Sequence, residues 1–227
     1  MENIQGMDKV FYSELPTPST ILVNGGAGVL KTTFIVEYLK CQVKRNKDFT
    51  CLYIALKDNN GFLLSHFELD DDAYKNNIKI VELETILDYG DSDKRNSIFK
   101  KITCTIKDYE KKSGKSPSMV VIDPVNTIYT TVPMDDFRNC LYHFLNDLSS
   151  LNTQNWLVLE KCSSRNISYE VPFYFLSDGI IEMGMKENQN DMIRYMEVKK
   201  MRGINHSLNA FQVSYTGKQF KVLGPAY

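Results

Sequence analysis

The sequence predicts an α/β fold: a mainly parallel, twisted sheet flanked by helices, with an antiparallel extension or hairpin at its C-terminal end. Three observations carry that expectation. Short, near-continuous apolar runs alternate with amphipathic helical patterns. The first of these runs leads straight into a glycine cluster followed by Lys31-Thr32. Beyond Asp178 the chain carries strand patterns separated by short turns, with no helix between them.

The elements follow in order. Residues 1–18 form a short approach segment containing Pro16 and Pro18, and Ser19–Asn24 reads as the first strand. A helix runs from Lys31 to about Lys44. Cys51–Leu56 and Ile78–Leu83 are apolar enough to be strands buried on both faces. Ile98, Ile102, Ile106 and Tyr109 recur at helical spacing, and that helix stops near Gly114. Met119–Asp123 is a further buried strand. A helix opening at Asp135-Asp136 places Phe137, Leu141, Phe144, Leu148 and Leu151 on one face. Asn155–Glu160 follows as a strand. The tail then reads as strands at Asp178–Met183, Ile193–Lys199, Ala210–Tyr215 and Gln219–Leu223, the last pair closed by Thr216-Gly217-Lys218 as a hairpin.

A chain of 227 residues suits one domain, 1–227, with a sizeable core. Its 43% hydrophobic and 24% charged residues are the balance of an ordinary globular protein. The net charge of −1 lacks the basic excess that phosphate-led nucleic-acid binding requires, so bulk charge does not support a nucleic-acid partner. Cys41, Cys51, Cys104, Cys140 and Cys162 are scattered without C-x-x-C spacing, which suggests reduced, mostly buried thiols. His206 reads as a hydrogen-bonding surface residue rather than a metal ligand. No apolar run approaches the roughly 18 residues of a membrane span, and Met1–Lys9 lacks a signal-peptide core, so a cytoplasmic location is expected.

Gly25, Gly26, Ala27, Gly28, Val29, Leu30, Lys31, Thr32 and Thr33 have the order of a P-loop. Successive backbone N–H groups form an anion-binding concavity, to which the helix N-terminus adds positive potential. Lys31 would reach the β- and γ-phosphates of a nucleotide, and the Thr32 hydroxyl would sit on Mg²⁺. Asp123, closing an apolar strand, supplies the acidic metal partner expected on a neighbouring strand. One position departs from the pattern: Leu30 stands where the glycine before the lysine belongs. If that position is left-handed, the Cβ costs about 1–2 kcal/mol, near a factor of ten in affinity. If it is helical, the cost is small.

The tail completes a resemblance. Asp178-Gly179-Ile180-Ile181-Glu182-Met183, then Arg194–Gly203 with its Lys-Met-Arg-Gly segment, then His206 and the Phe211–Leu223 hairpin, resemble the C-terminal module of KaiC-like ATPases. With the P-loop and the Val-Val-Ile-Asp strand in matching order, the chain is similar over Pro16–Leu223 to the RecA-superfamily P-loop proteins of the KaiC-related or RadA-paralogue type, in a degenerate form. The resemblance implies a RecA-like core, ATP or ADP with Mg²⁺ as ligand, and homo-oligomeric rings, often hexamers, with nucleotide held between neighbours. It also implies that Lys200 and Arg202 reach the neighbouring subunit's nucleotide. Two adjacent glutamates follow the second strand in the family, the first handling the attacking water; here Lys57 and Asp58 stand there. A protonated lysine accepts no proton, and losing a general base costs about 10²–10⁴ in rate. Glu160, at the end of its strand, is a second acidic candidate beside Asp58, with a structural role as its alternative.

Three readings follow. The first is an ATP-binding regulatory or assembly protein with weak or absent hydrolysis. The second is an active ring-forming ATPase in which Lys31, Asp58 or Glu160, and Arg202 carry catalysis. The third is a paralogue without nucleotide that binds a protein or single-stranded DNA through Lys199, Lys200, Arg202 and His206. A small-molecule kinase fits less well, because no lid or acceptor pocket is legible.

Overall fold

The computed structural model describes residues 4–56, 72–83, 97–130, 134–161, 167–188, 191–216 and 219–226. Within them the strands are β1 (Ser19–Gly25), β2 (Cys51–Ala55), β3 (Ile78–Glu82), β4 (Met119–Asp123), β5 (Gln154–Glu160), β6 (Gly179–Asn188), β7 (Asp191–Met201), β8 (Phe211–Thr216) and β9 (Gln219–Pro225). The helices are α1 (Lys31–Arg45), α2 (Asp72–Asn77), α3 (Ser97–Ser113), α4 (Met134–Ser149) and α5 (Ile167–Leu176). The strands form one sheet in the order β3-β2-β4-β5-β1-β6-β7-β8-β9.

Alternation along each strand builds two cores, one on each face of the sheet. Ile21, Val23, Tyr53, Val121, Trp156 and Val158 face α1, whose Phe34, Ile35 and Leu39 are fully buried against them. Leu22, Leu52, Ile54, Val120, Ile122 and Leu157 face α3 and α4, where Ile102, Phe137 and Leu141 close the other side. With both faces covered, the central strands β2 and β4 are buried throughout, and that is why their runs are continuous rather than alternating. β3, at the sheet edge, buries Ile78 but exposes Lys79 and Glu82, which corrects the expectation that Ile78–Leu83 is buried on both faces.

Two features of the topology differ from the sequence expectation. β6 pairs parallel with β1, Ile21 opposite Gly179 and Gly25 opposite Met183, so the antiparallel extension begins at β7 rather than at Asp178. The parallel arrangement is made possible by α5, a crossover helix that the residue pattern does not announce. Its Ile-Ser-Tyr-Glu-Val-Pro-Phe-Tyr-Phe-Leu run holds Pro172 and shows no clean polar face. It is helical because the interior claims it: Phe173 is fully buried with its ring 5.8 Å from that of Phe137 on α4.

The approach segment is tied down at the far edge of the sheet. Gln5 bridges Lys221 on β9, Phe11 bridges His206, and the Ser207 amide donates to Val10 O at 2.9 Å. Among the described cysteines, Cys51 is buried, Cys41 and Cys140 are half-buried and Cys104 is exposed, which corrects the expectation of mostly buried thiols. Among the described residues no helix is long and apolar enough to cross a membrane.

Candidate functional site

The site lies where β1, β4 and β5 end, outside the carboxyl edge of the parallel sheet, where open α/β folds hold ligands. β1 delivers the chain into Gly25. There a Cβ would meet Met183 O on β6 at 2.1 Å, so no other residue fits. Gly28 then takes a left-handed conformation, φ +74°. Leu30 is left-handed as well, φ 75° and ψ 25°, and its carbonyl accepts the first bond of α1 from the Phe34 amide at 2.9 Å. The position lacking its glycine is thus the one that requires it, at a cost of about 1–2 kcal/mol for the leucine Cβ. α1 opens without a side-chain cap and without an acidic residue in its first turn, so no side chain of its own takes up its leading amides.

Lys31 is buried at 9% exposure and turns its ammonium back onto the loop, donating to Gly25 O at 2.9 Å and Gly26 O at 2.6 Å. Thr32 donates from Oγ1 to Asp123 Oδ2 at 2.9 Å. Tyr53, fully buried on β2, donates its phenol to the same oxygen at 2.5 Å. Burial pushes the Asp123 carboxyl above the usual carboxylate range; the bonds from Tyr53 and Thr32 and the nearby Lys31 ammonium pull it back, and the Glu160 charge pushes it up again. Burial also pushes the Tyr53 phenol well up, with the Asp123 charge acting in the same direction. A hydroxyl and a carboxylate oxygen 2.9 Å apart, beside a lysine, form a hard-oxygen donor set of the kind that holds Mg²⁺ against a phosphate, so the residues fit that cation. Thr33, the last residue of the predicted loop, is buried.

Glu160 ends β5, half-buried, with its backbone held at both atoms by one side chain. Asn126 Nδ2 donates to Glu160 O at 2.6 Å, and Asn126 Oδ1 accepts from Glu160 N at 2.7 Å. Neither Asn126 nor Tyr53 carries a sequence motif; their roles rest on contacts across 34 and 70 positions of chain. Arg194 on β7 was likewise invisible in the pattern: its Nε donates to Gly28 O at 3.0 Å, across 166 positions.

The two cations of the Lys-Met-Arg-Gly segment lie elsewhere. Lys200 is opposite Ile180 and Met201 opposite Gly179, at the end of β6 that pairs with the start of β1. Through Ile180, Lys200 lies level with Leu22 of β1, three residues or about 10 Å along the strand from Gly25, and Met201 lies one residue further. Lys200 donates to Ser177 O at 2.5 Å and to Tyr174 O and Phe175 O at 3.4 Å, closing the C-terminal end of α5. Arg202 reaches Asp178 at 3.3 Å and is otherwise exposed. Burial lowers the Lys200 ammonium, and the Arg202 charge lowers it further. Lys199 is paired with Glu197 at 2.7 Å, and His206 Nδ1 lies 2.9 Å from Ser207 O. Each member of the basic cluster read from the sequence therefore has a local acceptor. Lys57 and Asp58 lie outside the described residues, as does Cys162.

A family model described as "ATPase: KaiC" matches residues 2–226 of the chain. A UPF0273 protein of Thermotoga maritima is 25% identical over 232 residues, covering 95% of this chain and 91% of the relative. A second UPF0273 protein, from Aeropyrum pernix, is 23% identical over 230 residues, covering 95% and 89%. Among solved structures, a KaiC-like protein from Pyrococcus horikoshii superposes with a TM-score of 0.74 at 21% identity, over 97% of this chain and 96% of the other. At that identity the likeness speaks for the fold.

Proposed function

The chain belongs to the KaiC ATPase family, RecA-fold proteins that bind ATP, and from that premise we propose that this member binds Mg·ATP as a regulatory or assembly protein and turns it over slowly or not at all. The observation that carries the binding half is the shared oxygen of Asp123, held by Thr32 and Tyr53 beside Lys31 at the mouth of the glycine loop. In this reading the amides of residues 25–33 cradle the phosphates, Lys31 leaves the Gly25 and Gly26 carbonyls for the β- and γ-phosphates, and Thr32 with Asp123 holds the metal. Mg²⁺ bound there would supply neutralisation of charge on the phosphoryl oxygens.

The slow-turnover half rests on the chain's own residues. Lys57 stands where the family carries the water-handling glutamate, and the loop must be held against the left-handed Leu30. Placement of Lys200 about 10 Å down the sheet from Gly25, with Arg202 beyond it past the end of β7, supports a role toward a neighbouring copy rather than the chain's own loop. The second reading, an active ATPase, is favoured by one observation: the Glu160 carboxylate lies close enough to Asp123 to act on its charge, on a backbone fixed by Asn126.

Calorimetric titration of the purified protein with Mg·ATP tests the proposal. Saturable binding at micromolar affinity that Lys31→Ala abolishes is the expected result. A Lys31→Ala variant that binds as well as its parent would sink the nucleotide reading. Steady phosphate release at ordinary ATPase rates would select the second reading instead.

A further inference from the structure

The phosphate loop holds two left-handed residues, Gly28 at φ 74° and Leu30 at φ 75°. The first accommodates that conformation freely; the second does not. A loop strained at Leu30 has a standing incentive to relax into a shape that no longer aims its amides at one point. Val29 and Leu30 pack against the core on the α1 face and hold that side of the loop. At the Gly28 turn, a polar side chain grips it from outside: Arg194, whose Nε donates to Gly28 O at 3.0 Å.

Arg194 is well placed for the task. It sits on β7 opposite Met185 on β6 and Val213 on β8, in the antiparallel extension, so it is anchored on a rigid strand rather than on the loop. Met185 lies beneath the same glycine, its Cε 3.5 Å from where a Gly28 Cβ would be. The Arg194 side chain is exposed, so its removal leaves no buried void.

We propose that Arg194 is a positioning residue: by holding the Gly28 carbonyl it keeps the Leu30-strained loop in its phosphate-cradling shape, and so offsets the missing glycine. The inference rests on the nucleotide reading given above and concerns how this chain sustains it. Apparent affinity is the intrinsic affinity scaled by the fraction of molecules whose loop is competent. With Arg194 present that fraction is near one; without it, the strain at Leu30 empties the competent state. With glycine at position 30 the strain is absent and the grip becomes superfluous.

A double-mutant cycle reads this directly, by calorimetric titration of Mg·ATP into the wild type, Arg194→Ala, Leu30→Gly and the double variant. Arg194→Ala is expected to weaken binding about fivefold to tenfold, the scale of one charge-assisted hydrogen bond. Leu30→Gly alone should change affinity by about twofold or less, and in its background Arg194→Ala should also cost about twofold or less. Equal losses in both backgrounds would overturn the inference, since they would mark Arg194 as a direct charge contact to the nucleotide. No loss in Arg194→Ala, or a tenfold gain in Leu30→Gly alone, would overturn it too. Absence of Mg·ATP binding by the wild type would instead overturn the nucleotide reading on which it stands.

Discussion

Removing the Tyr53 hydroxyl is the sharpest test of how the Asp123 cluster is built. Tyr53→Phe deletes one oxygen from a fully buried ring and leaves the packing of β2 against β4 otherwise intact. What is lost is a 2.5 Å bond to a buried carboxylate, of which Thr32 at 2.9 Å is the remaining hydroxyl donor. A hydrogen bond to a charged partner contributes about 1.5–3 kcal/mol. For a chain of this length that corresponds to a fall in Tm of roughly 3–12 °C.

The pH dependence carries a definite sign. The folded Asp123 carboxyl is raised above its unfolded value, mainly by burial. The folded state therefore holds its proton longer, and the stability this group contributes is lost as pH rises through the folded pKa. The Tyr53 bond opposes that rise, so Tyr53→Phe lifts the carboxyl further and extends the loss to higher pH. Its cost should approach that of a neutral bond, about 1 kcal/mol, at acid pH and reach its full value where the carboxyl is ionised. Urea unfolding across this range, followed by the fluorescence of the single tryptophan Trp156, measures it; that ring is buried against Phe34 and Tyr38 of α1. Tyr38→Phe is the control, because it loses a bond to the neutral Gln42. A Tyr53→Phe cost below about 0.5 kcal/mol, or one that does not vary with pH, would refute the reasoning.

Three further outcomes are expected. Asn126→Ala removes two bonds to the Glu160 backbone and should destabilise the protein by about 1–3 kcal/mol in thermal melts; any phosphate release should fall with it if Glu160 handles water. Arg202→Ala breaks an exposed pair with Asp178, so its Tm should hardly move, while nucleotide-dependent assembly, followed by light scattering, should weaken. Lys57→Glu restores an acceptor for the water proton and should raise phosphate release by about 10²–10⁴, provided the missing base limits the rate; an unchanged rate would shift the cause of slow turnover to another residue.

Local order was readable in this chain because it depends on near neighbours. The strand, glycine cluster, Lys31-Thr32 and helix lie within a few residues of one another, and continuous apolar runs report burial on two faces without reference to a partner. Asp123 was legible for the same reason, as the polar end of an apolar strand. The handedness of Leu30 was posed by the sequence but not answered by it, since the φ of one residue depends on where β1 and α1 are held. Tyr53 on the Asp123 oxygen, Asn126 on the Glu160 backbone and Arg194 on the Gly28 carbonyl came from the sheet order alone. So did α5, whose apolar residues fit a strand pattern until Phe173 meets Phe137. Hydrophobic period determines which face of an element is buried; which element it is buried against follows from strand order and register, and those arise when distant segments share one core.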